Sequence, residues 1–164
     1  MNEIMSRYRL RLMLLLGLAA GSLGAALVLA QGSTPIQSQD TNISGVVADL
    51  IECKREDGVL TVRVRFRNTT DQKVKLLLIE KKNFDVYYVT AGSKKYLMIR
   101  DPQKKTLSPQ DGSYDGYTGR VGADLAKGGT YQWWARYPAP PADVKKINYY
   151  TPLTAPFDNV PISD

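Results

Sequence analysis

Hydrophobic and polar residues alternate most strictly in the segment Gly58–Thr70, which reads GVLTVRVRFRNTT. Apolar side chains occupy the even positions: Leu60, Val62, Val64 and Phe66. Polar side chains occupy the odd positions: Thr61, Arg63, Arg65 and Arg67. A period of two places the two sets on opposite faces of a strand. The pattern predicts an antiparallel strand with one buried face, in a sheet that a second layer covers.

Other short segments are rich in β-branched and aromatic residues and are separated by turn residues. The predicted strands are Val46–Cys53, Val74–Ile79, Phe84–Thr90, Lys95–Arg100, Thr130–Tyr137, Val144–Tyr150 and Asp158–Ile162. Glycine and proline recur through Asp101–Gly129, which predicts long loops with at most one short strand near Ser113–Gly119. Asp124–Lys127 could form one helical turn. About seven short strands at this spacing are typical of an all-β, antiparallel β-sandwich.

The N-terminal segment has the pattern of a secretory leader. Three arginines precede an uncharged apolar run, Leu12–Ala30, which would form a leader helix. Small residues before Gln31 predict cleavage between Ala30 and Gln31. An uncleaved membrane anchor is the alternative, because 19 apolar residues can just span a hydrocarbon core. Either interpretation places the rest of the chain outside the cytoplasm.

This pattern divides the chain into three parts. Residues 1–30 are the signal peptide or anchor, and residues 44–164 are the folded domain. Between them, residues 31–43 are polar, with little to bury, and predict a flexible linker.

Composition limits the chemistry that the chain can perform. It has 164 residues, no histidine, one cysteine and a net charge of +6. The missing histidine removes the commonest general base and metal ligand, and a single cysteine forbids an internal disulfide. Cys53 has no histidine to activate it and is predicted to be a small buried residue or an exposed thiol. We therefore expect no enzyme activity and no cofactor.

The arginines of the central strand admit two interpretations. Arg63, Arg65 and Arg67 would lie on one strand face, as a basic stripe for an anionic polymer. The alternative, which we favour, is a solvated face whose arginines pair with acids on neighbouring strands, such as Glu52 or Asp85.

The clustered aromatic residues supply further binding candidates. Because neighbours in a strand face opposite ways, Trp133 is predicted to be buried and Trp134 to face outward with Arg136. An outward tryptophan beside an arginine suits a sugar ring or a partner protein. Tyr88 and Tyr150 are each the second residue of a tyrosine pair and are the remaining candidates, since one ring of each pair should face outward.

One segment has a faint metal-binding pattern. Asp111–Gly116 resembles the start of a calcium loop, but Gly122 stands where the pattern requires a glutamate. We therefore interpret the segment as a turn and expect no metal site.

Four segments together resemble a loose group of bacterial secreted immunoglobulin-like domains of unknown function. They are Gly58–Thr70, Gly92–Asp101, Trp133–Val144 and Pro156–Ile162. The resemblance implies an immunoglobulin-like sandwich, alone or beside other cell-envelope modules, and supplies no catalytic residues. We expect a non-enzymatic binding module that contacts an envelope protein, in the periplasm or secreted. Binding of a glycan or anionic polymer is the alternative and an uncharacterised hydrolase a distant one. Nucleic acid is not expected as a partner. Membrane contact is expected only if the leader is uncleaved.

Overall fold

The computed structural model describes residues 34–110 and 120–164, and regular structure there is almost entirely β. Ten strands occur in this part of the chain: β1 Gln37–Asp40, β2 Val46–Glu56, β3 Val59–Asn68, β4 Val74–Ile79, β5 Tyr88–Ala91, β6 Lys94–Tyr96, β7 Val121–Leu125, β8 Thr130–Pro138, β9 Lys146–Tyr150 and β10 Phe157–Pro161. One 3-10 turn, Phe84–Val86, precedes β5. The count exceeds the seven strands predicted, because short polar strands such as β1 carry no hydrophobic alternation.

The strands form three antiparallel sheets. One has the order β1-β2-β3-β8, a second has the order β10-β9-β5-β6, and β4 pairs with β7 in a small third sheet. β3 lies between β2 and β8, and every second side chain along it is buried, as its alternation predicts. Val64 lies opposite Trp133 on β8, and Arg63 lies opposite Trp134. This register separates the buried face of the sheet from its outer face.

Aromatic side chains join the two four-stranded sheets in a common core. Trp133 of β8 is fully buried, and its indole Nε1 donates a hydrogen bond of 3.2 Å to the hydroxyl of Tyr149 on β9. The ring of Tyr87 lies 4.9 Å from that of Trp133, centre to centre. Leu76 of β4 and Val121 of β7 belong to the same buried cluster. The prediction that Trp133 is the inward member of its pair is therefore confirmed.

The linker region contains a strand that the sequence does not predict. Gln37–Asp40 pairs with β2 although the segment carries almost no apolar residue. Its long amides reach β10: Gln37 donates to the carbonyl of Asp158 at 2.8 Å, and Gln39 to that of Pro156 at 3.3 Å. Hydrogen bonds rather than hydrophobic burial hold β1, so the prediction of a flexible linker over residues 31–43 does not describe these four residues.

Two predicted strands are shorter than expected. Phe84–Thr90 begins as a 3-10 turn and becomes a strand only at Tyr88. Lys95–Arg100 leaves its sheet after Tyr96, and the amide of Ile99 instead donates to the carbonyl of Arg136 on β8. The chain therefore crosses between the sheets where the pattern indicates one continuous hairpin.

A further correction concerns the segment before β8. Asp124 and Leu125 end the strand β7, so the helical turn expected at Asp124–Lys127 is not formed. The predicted leader, its cleavage site at Ala30 and Gln31, and the expected strand near Ser113–Gly119 lie outside the described residues. Within residues 34–110 and 120–164, no helix has the length and apolar character needed to cross a membrane.

Two buried tyrosines should respond oppositely to loss of their hydroxyl groups. The Tyr137 hydroxyl is buried, and no group lies in hydrogen-bonding geometry to it among the described residues. Burial raises the pKa of Tyr137, and the neighbouring Tyr149 raises it further. We expect Tyr137→Phe to leave the free energy of unfolding unchanged or to raise it by about 1 kcal/mol. Tyr149→Phe removes the acceptor of Trp133 and should lower it by about 1–2 kcal/mol. Urea unfolding of both variants measures the difference, and equal losses would contradict this account of the core.

Candidate functional site

Five of the predicted binding residues share one outer sheet face, here called the arginine–tryptophan face: Arg63, Arg65 and Arg67 of β3 with Trp134 and Arg136 of β8. Arg63 lies directly across from Trp134 in the β3–β8 register. Trp134 is half-buried, whereas its neighbour Trp133 is completely enclosed. The alternation predicted along both strands therefore brings the tryptophan and the arginines together.

The three β3 arginines are paired with acids of the adjacent strand β2. Arg63 Nε lies 3.2 Å from Glu52 Oε2, as an ion pair with poor hydrogen-bond geometry, and its side chain is 38% exposed. Arg65 and Arg67 both bind Asp49, at 3.0 Å and 2.5 Å. The predicted pairing with Glu52 is confirmed. The other predicted acid, Asp85, instead pairs with Arg100 at 2.7 Å.

Asp49 is a completely buried carboxylate that organises this face. Oδ1 accepts a hydrogen bond of 2.8 Å from Ser38 on β1, and both oxygens accept from the two arginines of β3. Burial acts to raise the pKa of Asp49, but the hydrogen bonds from Arg67, Ser38 and Arg65 outweigh it and lower the pKa below 3.8. A carboxylate at this position therefore stays ionised and keeps the two guanidinium groups in place.

Trp134 and Arg136 form the accessible end of the face. The Arg136 guanidinium carbon lies 5.9 Å from the centre of the indole ring, which is the outer limit of a cation–π contact. Arg136 is exposed and has no acidic partner in the described part of the chain. Among the described residues, it is the one arginine of this face with no carboxylate in contact, whereas Arg65 and Arg67 share the single carboxylate of Asp49.

Tyr88 and Tyr150 lie on the other four-stranded sheet. Their rings stack at 4.5 Å with an angle of 11°, and the Lys95 ammonium lies 3.7 Å above Tyr88. Tyr149 and Trp133 meet in the core, so Tyr150 and Trp134, which follow them on their strands, face away from each other. The structure thus divides the seven candidates between two faces and forms no common strip of Trp134 with Tyr88 or Tyr150.

Sequence reasoning did not recognise Asp49 as an organising residue. It stands inside the apolar segment Val46–Ile51, which reads as a buried strand. A charged residue in such a segment is a signal in itself, because an ionised carboxylate is almost never fully buried without partners. The register that brings it opposite Arg65 follows only from the folded sheet.

Cys53 is buried, with 1% of its surface exposed, which agrees with the first of its two predicted environments. Burial and then the charge of Glu52 raise the pKa of the thiol to about 12, so the thiol stays protonated at neutral pH. In the described residues, no group of three His, Cys, Asp or Glu side chains is arranged to hold a metal ion. The calcium-like segment Asp111–Gly116 falls outside those residues.

No protein-family model, no curated protein and no solved structure matches the chain. The resemblance to secreted immunoglobulin-like domains accordingly stays a prediction.

Proposed function

We propose that the chain is an exported, non-enzymatic binding module of the bacterial cell envelope, built as an immunoglobulin-like β-sandwich that contacts a partner protein. The fold proposal is supported by two four-stranded antiparallel sheets that share a buried aromatic core. The leader-like segment before Gln31 supports export, with the domain periplasmic, secreted or membrane-tethered if the leader remains.

The position of Trp134 carries the proposal. A half-buried tryptophan lies across from Arg63 and two residues before Arg136 on an outer sheet face, and tryptophan and arginine are among the residue types that dominate protein interfaces. Asp49 and Glu52 already orient the β3 arginines, so a partner need not immobilise those long side chains. A pre-organised surface that carries a tryptophan among arginines suits another protein.

Binding of a glycan or anionic polymer is the second candidate. The net charge of +6 and the unbalanced charge of Arg136 favour it. The paired state of the β3 arginines weighs against it, because a polyanion would have to compete with carboxylates at 2.5–3.2 Å. A hydrolase is the distant third, since the one thiol is protonated and the sequence carries no catalytic motif.

The test is site-specific photo-crosslinking from the proposed interface in an exporting bacterial host. A photoreactive phenylalanine at position 134 should give an adduct of one discrete mass with an envelope protein. The same group at position 150, on the opposite sheet, is the matched control and should not give that adduct. Arg136→Ser should weaken the adduct, because it removes the exposed cation beside the indole.

Three results would count against this function. Crosslinking of position 134 to polysaccharide alone would favour the polymer alternative. Equal adducts from positions 134 and 150 would indicate non-specific contact. Absence of any adduct across envelope preparations would remove Trp134 as an interface residue.

A further inference from the structure

Strand β8 forms one edge of the sheet that carries the arginine–tryptophan face. Backbone groups of successive residues in an antiparallel strand point to opposite sides, so only every second residue of β8 can bond to β3. Arg136 bonds away from β3: its amide donates to the carbonyl of Leu107 at 3.0 Å, and its carbonyl accepts from the amide of Ile99 at 2.9 Å. Trp134 and Gln132 precede it by two and four residues in a ladder of continuous register, so their amides and carbonyls point to the same side.

The backbone groups of Gln132 and Trp134 on that side form what we call the open edge of β8. Within residues 34–110 and 120–164, no hydrogen-bond partner meets these two amides and two carbonyls. Gln132 is exposed and Trp134 is half-buried, so both residues keep contact with solvent. Unpaired backbone donors and acceptors along a strand are a template for another extended chain.

The other edge strands of the two four-stranded sheets are each protected. Side-chain amides of β1 bond to β10, and β10 itself has an irregular register and contains Pro161. Strand β6 has only three residues, and two of them are lysines. Such devices limit the pairing of edge strands with other chains. From Thr130 to Tyr137, β8 has neither a proline nor a bulge, which distinguishes the open edge from these three strands.

Side chains beside the open edge carry positive charge that a partner can neutralise. Arg136 touches no carboxylate of the described residues, and Arg65 and Arg67 share the one carboxylate of Asp49. A strand residue lies on the same face as the residue directly opposite it, so partner residues paired with the open edge would place their side chains among these arginines. Carboxylate side chains on the partner strand are therefore favoured.

We propose that the partner protein adds an extended acidic segment to the open edge as a further antiparallel strand. One residue opposite Trp134 and one opposite Gln132 would each exchange two backbone hydrogen bonds with β8. Both residues would carry carboxylates toward the arginine–tryptophan face, and the residue between them would point to the other face of the sheet. This inference deepens the function proposed above and rests on it, because it specifies how the partner meets Trp134.

A second copy of this chain fits the open edge less well than an acidic segment does. Pairing β8 with β8 would join two faces that both carry excess arginine charge, and like charges on paired strands are destabilising. Sedimentation of the protein alone should therefore show a monomer. A dimer that Gln132→Pro abolishes would overturn the proposal in favour of self-association.

NMR titration of the isotope-labelled protein, purified from an exporting host, with synthetic peptides tests the proposal. The probe is acetyl-Gly-Glu-Val-Glu-Val-Glu-Gly-amide, which should shift the amide signals of Gln132 and Trp134. N-methylation of its central Glu should weaken binding roughly tenfold, because that N–H would face β8. N-methylation of a Val is the matched control and should change affinity less than twofold, because the Val N–H would face away. A peptide with Lys in place of each Glu should not bind.

Gln132→Pro is the matched protein variant, because it removes one amide of the open edge. Proline is tolerated in an edge strand where the N–H faces solvent, so the melting temperature should change by less than about 4 °C while peptide affinity falls roughly tenfold. Gln132→Ser keeps the amide and should bind the peptide as the unmodified protein does. The N-methylated peptides test the same hydrogen bonds in the unmodified protein, whether or not the proline variant folds.

Equal effects of the two N-methylations, equal binding of the lysine peptide, or no binding at millimolar peptide would each overturn strand addition. The crosslink from position 134 separates this result from the function itself. An adduct that Gln132→Pro leaves unchanged would overturn strand addition while the interface at Trp134 stands. Loss of the adduct in Gln132→Pro, with retention in Gln132→Ser, is the result expected.

Discussion

Asp49→Ala is expected to lower the free energy of unfolding by about 3 kcal/mol. Removing one partner of a buried ion pair costs about 3–5 kcal/mol, and the partial exposure of the arginines places this loss at the lower end. The variant loses the carboxylate that binds Arg65, Arg67 and Ser38. It also leaves the two arginines as like charges on one face without a shared partner. Chemical unfolding monitored by tryptophan fluorescence measures the loss. Asp143→Ala, at an exposed acid with no ion pair in the described residues, is the control and should change stability by less than about 0.5 kcal/mol.

The same carboxylate should set part of the acid stability of the fold. Its pKa is lowered on folding, so the unfolded chain takes up the proton more readily than the folded one. The stabilisation is therefore complete above the ordinary value of 3.8 and is lost as the pH falls below it toward the folded pKa. Asp49→Asn should show a shallower loss of stability below pH 4 than the unmodified protein. The same dependence of unfolding free energy on pH below 4 in the two proteins would contradict the role given to Asp49.

Arg55→Ala is expected to lower the free energy of unfolding by about 3 kcal/mol. The Arg55 side chain is only 11% exposed and holds the loop between β8 and β9 by its backbone carbonyls. Its guanidinium donates to Pro141 at 2.7 Å, Val144 at 3.1 Å and Ala142 at 3.3 Å, and also pairs with Asp164 at 2.7 Å. Hydrogen bonds from a charged donor are worth about 1.5–3 kcal/mol each, and partial exposure of the loop reduces their sum.

Two control variants separate the geometry of Arg55 from its charge. Arg55→Lys keeps the charge but cannot reach several carbonyls at once, so it should recover less than half of the lost stability. Lys54→Ala, at the adjacent and more exposed cation, should change stability by less than about 0.5 kcal/mol. Full recovery with lysine would show that charge alone matters at position 55.

Regular alternation is what made part of this fold predictable. From Leu60 to Arg67 the apolar and polar residues of β3 alternate without exception, so the buried face of that strand follows from the chain alone. The same rule assigned Trp133 inward and Trp134 outward. Edge strands such as β1 were missed, because side-chain amides rather than apolar contacts hold that strand. The turn at Phe84–Val86 was missed because aromatic and β-branched residues there have the composition of a strand.

The candidate site was predictable residue by residue but not as an arrangement. The opposite orientation of adjacent strand residues identified Trp134, Tyr88 and Tyr150 as candidates, yet strand order decides which of them are neighbours. Alternation along a strand does not predict which sheet the strand joins. β9 pairs with β5 in one sheet while β8 pairs with β3 in the other, so Tyr150 stacks on Tyr88 rather than lying beside Trp134.

Whether the β3 arginines stay paired with Glu52 and Asp49 distinguishes a protein interface from a polyanion site. It can be tested by measuring the affinity of the protein for heparin at several salt concentrations. If Glu52 and Asp49 retain the arginines, Arg63→Ser and Arg67→Ser, each measured alone, should leave the slope of the logarithm of the binding constant against the logarithm of salt unchanged. A slope shallower by about 1 in either variant, as expected when that arginine displaces a counterion from the polymer, would contradict the account.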